Sequence, residues 1–132
     1  MLLDTRDIQL MNVFESLTRA RVVDCFEAED SINFLVHDGD LGKAIGKGGI
    51  TIANARKKLS KRISVFEDSE NPSNFITKAC HPVKAHPTID GKSVRIDVPR
   101  SQRDSISGKQ IRIIKELIKR KLNADDVEFF FV

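Results

Sequence analysis

The spacing of hydrophobic residues changes several times along the first 70 positions, and each change predicts a new element. From Asp4 to about Arg19 four apolar side chains recur at helical spacing: Leu10, Val13, Phe14 and Leu17. Two strand-like stretches follow at 21–28 and 31–37. In the second stretch, apolar residues expected to face a core alternate with residues expected to face away: Ile32, Phe34 and Val36 with Asn33, Leu35 and His37. The pattern predicts a helix and then two strands.

Glycines interrupt the pattern at residues 46–49. A short apolar helix, LGKAI, ends at the glycines of IGKGG. A longer helix is predicted from Ile50 to Lys61, with Ile52, Ala55 and Leu59 on its inner face. A strand, ISVFED, closes this half of the chain. The predicted order is therefore α-β-β-α-α-β.

The second half repeats this order. In the polar stretch DSENPSN (68–74), Asn71 is the expected N-cap and Pro72 the first residue of a helix that stops before Pro82. The strands VKAHPTI and SVRIDVP follow, with a hairpin signal at Asp90-Gly91 between them. A short turn, SQRDSI, precedes a cationic helix, KQIRIIKELIKRKL, and a final strand, VEFFFV. We expect the phenylalanines at 129–131 to be buried on both faces of that strand.

The two halves can be superimposed residue by residue. A shift of 59 positions places seven residues of the first half on similar residues of the second: Gly49, Ile52, Ala55, Arg56, Leu59, Lys61 and Arg62 on Gly108, Ile111, Ile114, Lys115, Ile118, Arg120 and Lys121. Two copies of one unit explain this match. The sequence predicts an α+β chain of two domains, residues 1–70 and 71–132.

Composition and charge narrow the class of protein. The chain has 132 residues, of which 40% are hydrophobic and 31% charged, and this composition is typical of a globular protein. No apolar run approaches the roughly 18–20 residues of a membrane span, and the charged N-terminus does not resemble a signal peptide, so we expect a cytoplasmic protein without membrane contact. Residues 1–70 carry 10 basic and 12 acidic side chains, whereas 71–132 carry 12 and 7. Residues 41–66 hold seven basic residues and no acid. Such a patch suits a phosphate backbone, although a charge run alone is usually a solvated helix face.

The two cysteines do not predict a disulfide framework or a catalytic site. Cys25 and Cys80 are far apart in sequence, and Cys25 falls within a strand pattern. Cys80, His81 and His86 cluster too loosely for a zinc site and are expected to be solvated loop residues. A hydrolase using either cysteine with a histidine would need a third, orienting group, and none is recognisable. We therefore expect no metal, no cofactor and no enzymatic activity.

The segment from Ile45 to Ile52 carries the strongest functional signal. Its glycines let a ligand approach the backbone, and the next helix begins with free N–H groups and the positive end of its dipole, so phosphate is the natural ligand. Ile45 and Ile52 are expected to form an apolar floor for bases. The candidate residues of the first half are Lys43, Ile45, Gly46, Lys47, Gly48, Gly49, Ile52 and Arg56.

Other phosphate-binding motifs fit less well. A Walker A loop needs four residues between its first glycine and Gly-Lys, whereas three separate Gly42 from Gly46-Lys47. A dinucleotide fingerprint needs GxGxxG after a strand of a βαβ unit, and neither the spacing nor the order agrees. A sheet that stacks bases needs exposed aromatic residues, and the chain has no Trp or Tyr. A plain tight turn would explain the glycines alone, but not the flanking helices and the second copy.

The loop Gly46-Lys47-Gly48-Gly49 between two helices resembles the GxxG loop of a KH domain, which holds about four nucleotides of single-stranded nucleic acid. The order α-β-β-α-α-β is that of type II KH domains. Two in tandem resemble the archaeal NusA-like transcription termination factors, most specifically in IGKGGITIANARKKL and less so in ISGKQIRIIKELIKRKLNADDVEFF. The resemblance implies binding of single-stranded RNA in the nascent transcript, control of transcription termination or elongation, and RNA polymerase as a further partner.

The second loop departs from the GxxG pattern, because Ser105 replaces its first glycine. The candidate RNA-binding residues of this half are Ser105, Ile106, Ser107, Gly108, Lys109, Arg112 and Lys115. We expect the three cations to hold phosphates and one RNA to run continuously across both halves. Two other functions would use the same fold. A ribosome-associated or RNA-processing KH protein would differ only in the RNA it binds, and a protein–protein adaptor would be indifferent to changes in the first loop.

Overall fold

The computed structural model describes residues 3–132. They form a mixed α+β structure of two compact units that divide between Ser69 and Glu70, and each unit contains one three-stranded sheet. Among the described residues, no helix is long and apolar enough to cross a bilayer.

The first unit contains three α-helices and three strands. Its elements, in chain order, are α1 (Thr5–Thr18), β1 (Val22–Ala28), β2 (Ser31–Val36), α2 (Leu41–Ile45), a 3-10 turn (Lys47–Gly49), α3 (Ile50–Leu59) and β3 (Arg62–Glu67). Strand β2 is central, pairing antiparallel with β1 and parallel with β3. The order of elements follows the predicted one, and α3 ends two residues before the predicted end at Lys61.

Local chemistry fixes the ends of α1 and the turn after β1. Asp4 and Asp7 form a reciprocal capping box at the start of α1, and Arg19 ends the helix in the left-handed region at φ 65°. Glu29 and Asp30 both have positive φ, at 52° and 60°, in the two-residue turn that joins β1 to β2. Positive φ at both positions matches the twist of a tight hairpin.

The core of the first unit lies between the helices and one face of the sheet. The Phe14 ring of α1 stacks on the Phe34 ring of β2 with centroids 3.9 Å apart and planes inclined by 9°. Ala55 of α3 and Ile63 of β3 are buried in the same cluster. The expected alternation in β2 is wrong, because all six of its residues are buried, including Asn33 and Leu35.

The second unit has two α-helices and three strands. Its elements are α4 (Pro72–Cys80), β4 (His86–Asp90), β5 (Ser93–Val98), a 3-10 helix (Arg100–Ser105), α5 (Gly108–Leu122) and β6 (Asp126–Phe131). Strand β5 is central, antiparallel to β4 and parallel to β6. Asn71 caps α4 by accepting a hydrogen bond from the Asn74 backbone N–H, as predicted, and Pro72 is its first residue.

The second unit differs from the prediction in two elements. Strand β4 is shorter than expected, and one of the expected α-helices is a 3-10 helix. Residues 83–85 lie outside β4, which begins at His86. The hairpin after β4 is present, with Gly91 at φ 59° in its two-residue loop. The first helix of the expected pair is the six-residue 3-10 helix Arg100–Ser105 rather than an α-helix.

The core of the second unit matches the predicted alternation in β5. Val94, Ile96 and Val98 are buried while Ser93 and Arg95 are exposed. Helix α5 contributes four buried residues to this unit: Ile113, Ile114, Leu117 and Ile118. With 15 residues, α5 is longer than the 10-residue α3, so the shift of 59 positions aligns the starts of the two helices and not the strands that follow.

The last strand is not buried on both faces, which corrects the prediction for residues 129–131. Phe130 is 41% exposed, and Phe129 and Phe131 are half-buried. Arginines lie over two of these rings. The Arg95 guanidinium carbon is 3.9 Å from the Phe130 centroid, and that of Arg103 is 4.7 Å from the Phe131 centroid. These are cation–π contacts at the protein surface.

Candidate nucleic-acid interface

The first loop, residues 46–49, joins α2 to α3 through a sharp change of direction. Gly46 ends α2 at φ 76° and ψ 168°, and its N–H donates to the Gly42 carbonyl at 2.8 Å. The Gly49 N–H donates to the Gly46 carbonyl at 3.0 Å, which closes the 3-10 turn. Backbone conformations like that of Gly46 are essentially restricted to glycine.

Gly46 also lies directly against the start of α3. A Cβ atom at this position would be 2.7 Å from the Thr51 Cβ and 2.8 Å from the Thr51 backbone nitrogen, and closer still to Thr51 Oγ1. No side chain fits there without moving the backbone of α3. The first glycine of the loop is therefore required by sterics as well as by its dihedral angles.

Gly48 and Gly49 present open backbone instead. Both have left-handed dihedral angles, with φ of 65° and 78°. A Cβ atom on either would meet nothing within 4 Å. The room above these two glycines is where the backbone of a ligand can approach the protein backbone closely.

The start of α3 offers hydrogen-bond donors and a positive potential. Its N-cap residue, Gly49, has no side chain to satisfy the first amides, and no side chain caps the helix. The Ile50 N–H already donates to the Lys47 carbonyl. The positive end of the helix dipole still favours an anion at this position. Lys47 is exposed within the loop and adds a positive charge beside it.

An ion pair anchors α2 in front of the loop. Buried Asp40, at the N-cap position of α2, accepts from the Arg21 backbone N–H at 2.8 Å and from Arg21 Nε at 3.1 Å. These bonds from Arg21 hold the pKa of Asp40 down at about 2, while the same side-chain bond raises the pKa of Arg21. Lys43, a predicted RNA contact, is exposed, with its Nζ 3.9 Å from Asp40 Oδ1.

The expected apolar floor is only partly present. Ile52 is 6% exposed and belongs to the core of the first unit, so it offers little surface to a base. Ile45 is half-buried against that core. The exposed apolar side chain beside the loop is Ile50, the first residue of α3, at 66% exposure. Sequence periodicity missed Ile50, because it precedes the inner face that Ile52 begins.

Arg56 has a structural bond that the sequence did not reveal. Its Nη2 donates to the Ile63 carbonyl at 3.0 Å and so ties α3 to the start of β3. The side chain remains exposed. Arg56 therefore helps to hold α3 in place. A ligand could be contacted only by the N–H groups of the guanidinium that do not bond to Ile63.

The second loop, residues 105–108, leads into α5, and one of its own side chains caps that helix. Ser107 is the N-cap of α5: its Oγ accepts from the Gln110 N–H at 3.1 Å, while Gln110 Oε1 accepts from the Ser107 N–H at 2.7 Å. This capping box uses two of the donors that an anion would need. Ile106 is buried, and Ser105 is exposed at the end of the 3-10 helix.

The cations that follow the second loop are also partly engaged. Lys115 Nζ lies 3.4 Å from Glu128 Oε2 of β6, with its side chain 30% exposed, so a phosphate at this position would compete with Glu128 for the lysine. The Arg112 guanidinium folds back to 3.4 Å from where a Gly108 Cβ would stand. Lys109 is exposed at the start of α5.

The cysteines are buried rather than solvated, which corrects the expectation for Cys80. Cys80 ends α4, and burial raises the pKa of its thiol to about 12. A thiol that keeps its proton at neutral pH is a poor nucleophile and a poor metal ligand. Across residues 3–132, no three side chains of His, Cys, Asp or Glu are grouped as a metal site would require.

Comparison with known families identifies the family of the chain. The sequence profile of the KH domain matches residues 10–128, which is most of the chain. The chain belongs to the KH domain family. The matched region includes the glycine loop at residues 46–49.

Named relatives of this KH protein occur in archaea. The "Probable transcription termination protein NusA" of Methanococcus vannielii is 40% identical over 82 residues, which are 62% of this chain and 47% of that protein. The match thus spans about half the length of that relative. The protein of the same name from Halococcus morrhuae is 29% identical over 123 residues, 88% of either chain.

A solved structure shares the fold of this KH protein. The crystal structure of APE1850 has a TM-score of 0.83 at 23% identity, covering 97% of this chain and 100% of that one. At this level of identity the likeness concerns the fold alone.

Proposed function

We propose that this KH protein binds single-stranded RNA without catalysing a reaction, and that it acts on nascent transcripts to control transcription termination or elongation. The observation that carries the proposal is the open backbone of Gly48 and Gly49 in front of the uncapped start of α3. A phosphate fits there, because the helix dipole and Lys47 favour negative charge at one place.

Two type II KH domains, residues 1–70 and 71–132, are our assignment of the chain. The element order of the first unit and the three-stranded sheet of each unit support it. We assign the phosphate clamp to the first loop. The second loop contributes less, because its capping box and the Lys115–Glu128 pair already use donors that would hold RNA.

The combination of an open loop and a neighbouring exposed apolar side chain favours single-stranded RNA over duplex RNA. A loop followed by an exposed side chain such as Ile50 contacts backbone and unstacked bases together. In duplex RNA the bases are paired and the major groove is too deep and narrow for side chains to read. Paired bases therefore could not reach the apolar side chains beside the loop.

The transcription role rests on the names of the relatives, two of which are called probable transcription termination proteins. The partners that we propose are nascent RNA and, through the elongating complex, RNA polymerase. A cytoplasmic location follows from that role.

Crosslinking in cells, followed by sequencing of the bound RNA, tests the proposal. We expect reads distributed along nascent transcripts and enriched near their 3′ ends. Reads confined to ribosomal RNA or to processing intermediates would instead identify a ribosome-associated or RNA-processing protein. Loss of crosslinking after Lys47→Asp and Gly48→Asp would tie the signal to the first loop.

A further inference from the structure

The basic residues of 41–66 are not one patch, because α3 separates them. Lys47 lies in the first loop, before the helix begins at Ile50. Five other cations lie towards its far end. Arg56 donates to the Ile63 carbonyl, and the remaining four are Lys57 and Lys58 in the last turn and Lys61 and Arg62 beyond it. We call these four the distal cluster. A helix of 10 residues is about 15 Å long, so the two groups are too far apart to contact the same phosphate.

The distal cluster is exposed and mostly without ion pairs. Within residues 3–132, the side chains of Lys57, Lys58 and Arg62 have no acidic partner within salt-bridge distance. Lys61 lies beside a small cavity that Glu27 and Asp30 also line. Glu27, however, already pairs with Arg6 at 2.9 Å. The cluster therefore keeps a net positive charge.

Helix stability explains only part of this arrangement. Lys57 and Lys58 complement the negative end of the α3 dipole. Lys61 and Arg62 follow the left-handed Ser60 that ends the helix, so they gain less from the dipole. Four like charges within six positions repel one another, and a polyanion relieves this repulsion.

The surroundings of the distal cluster favour nucleic acid over protein. A protein interface has an apolar centre, usually with aromatic residues. The large exposed apolar side chains of the described residues are Ile8, Val13, Ile50, Ile89, Phe130 and Val132, and none belongs to residues 57–62. Flexible lysines without an apolar centre suit a phosphate backbone.

We propose that the distal cluster is a second phosphate-binding surface, which extends the RNA site of the first unit beyond the roughly four nucleotides held by the loop. It rests on the proposed function of the first loop. The cluster contacts phosphates without reading sequence, so it sets the length of RNA that is bound and the salt dependence of binding rather than base preference.

RNA length provides the test. We would measure the affinity of the full chain for a four-nucleotide and a twelve-nucleotide single strand of uniform sequence. The test variant carries Lys57→Gln, Lys58→Gln, Lys61→Gln and Arg62→Gln. We expect about tenfold weaker binding of the longer strand and a salt slope shallower by about 3, at roughly 0.7 for each phosphate that the variant no longer neutralises. The affinity for the short strand should not change.

Two control variants test whether the effect comes from the position of the removed charges or from the total charge of the protein. Replacing the same four residues by Lys57→Arg, Lys58→Arg, Lys61→Arg and Arg62→Lys keeps the charge and should keep the affinity. Lys84→Gln with Lys92→Gln removes two exposed charges from the second unit and should weaken binding of the longer strand less than Lys57→Gln with Lys58→Gln. Melting temperatures check that each variant is folded.

Each outcome decides between the two proposals. Unchanged binding of the longer strand by the glutamine variant would overturn the distal surface while leaving the loop proposal intact. Equal weakening for both strands would also overturn it, because the effect would then act through the loop. If the unmodified chain binds neither strand, the proposed function fails and the distal surface fails with it.

Discussion

Gly46 packs against Thr51 so closely that a Cβ atom on Gly46 would be 2.8 Å from the Thr51 backbone nitrogen. The contact joins the end of α2 to the start of α3 and fixes the path of the loop between them. Because the obstruction includes backbone, shortening the Thr51 side chain cannot relieve it. The loop geometry thus depends on the absence of a side chain at one position.

Gly46→Ala should therefore destabilise the fold and weaken RNA binding together. Glycine-only dihedral angles and the clash each cost on the order of 1–3 kcal/mol, and we expect a loss of about 3 kcal/mol in the free energy of unfolding. Chemical denaturation measures the loss. Gly39→Ala is the matched control, because Gly39 also has positive φ, at 88°, but no atom within 4 Å of a Cβ. A loss equal to that of Gly39→Ala would contradict the steric explanation.

Lys47→Asp with Gly48→Asp should weaken binding of single-stranded RNA at least tenfold, which is about 1.4 kcal/mol. Two carboxylates would stand where a phosphate is proposed to lie. The melting temperature should fall only modestly, since a Cβ on Gly48 meets no atom within 4 Å and Asp is among the residues that tolerate a left-handed φ. Titration by fluorescence anisotropy measures the affinity, with a duplex of the same sequence for comparison.

The hairpin loop of the second unit supplies a matched control for this variant. Gly91 also has open space around its Cβ position and a left-handed φ of 59°, and exposed Lys92 follows it. Gly91→Asp with Lys92→Asp makes the same change of charge in a β-hairpin loop, and it should leave most of the affinity. If the first-loop variant binds RNA normally, the adaptor function becomes the better explanation of the fold.

The Arg21–Asp40 pair makes stability depend on pH in the acid range. The folded-state pKa of Asp40 is lowered from 3.8 to about 2, so its contribution is fully present above about pH 4 and is lost as the pH falls towards 2. Asp40→Asn should lower stability at neutral pH and flatten the decline below pH 4. Denaturation curves from pH 2 to 6 compare the two proteins. Asp104→Asn, at an exposed carboxylate of the 3-10 helix, is the control. Parallel curves for the wild type and Asp40→Asn would rule the pair out as the cause.

Ser107→Ala should destabilise the second unit by about 1 kcal/mol, the usual value of an N-cap side chain. Its hydroxyl accepts from the Gln110 N–H at 3.1 Å. Since the capping box already occupies this helix start, RNA affinity should change far less than in the first-loop variant. Thermal melting and RNA titration of the same samples check both statements. A tenfold loss of affinity would mean that Ser107 holds RNA directly.

Separating residues 1–70 from 71–132 should weaken binding strongly. Two sites on one chain bind one RNA with a high effective concentration, which is lost when the chain is cut. Each half is also near the lower size limit for independent stability. RNA affinities of the halves, alone and mixed, would be compared with the intact chain. One half that folds and binds as tightly as the whole would show that the other is dispensable.

Periodicity predicted where most elements lie because each helix and strand has one buried face. It identified Asn71 and Pro72 at the start of α4 and the alternation of Val94, Ile96 and Val98 in β5, all of which are present. It could not tell whether the opposite face is covered as well. For that reason the alternation expected for β2 was wrong, and so was the double burial expected for β6.

Candidate site residues were harder to predict because partners distant in sequence occupy some of them. Lys115 and Glu128 are 13 positions apart and meet only once α5 packs beside β6. The bond from Arg56 to the Ile63 carbonyl likewise depends on the turn after α3. The glycines of the first loop were easier to recognise, since three glycines within four positions are a local feature of the sequence.

The arginines above β6 have a consequence for solubility. Three consecutive phenylalanines on an edge strand are the kind of segment that recruits strands of other molecules into aggregates. Arg95 and Arg103 stand over the rings of Phe130 and Phe131 and so place positive charge on the aromatic surface of this strand. Charged side chains beside an aromatic segment are a common means by which proteins disfavour aggregation, and here two arginines cover rings that would otherwise be more exposed.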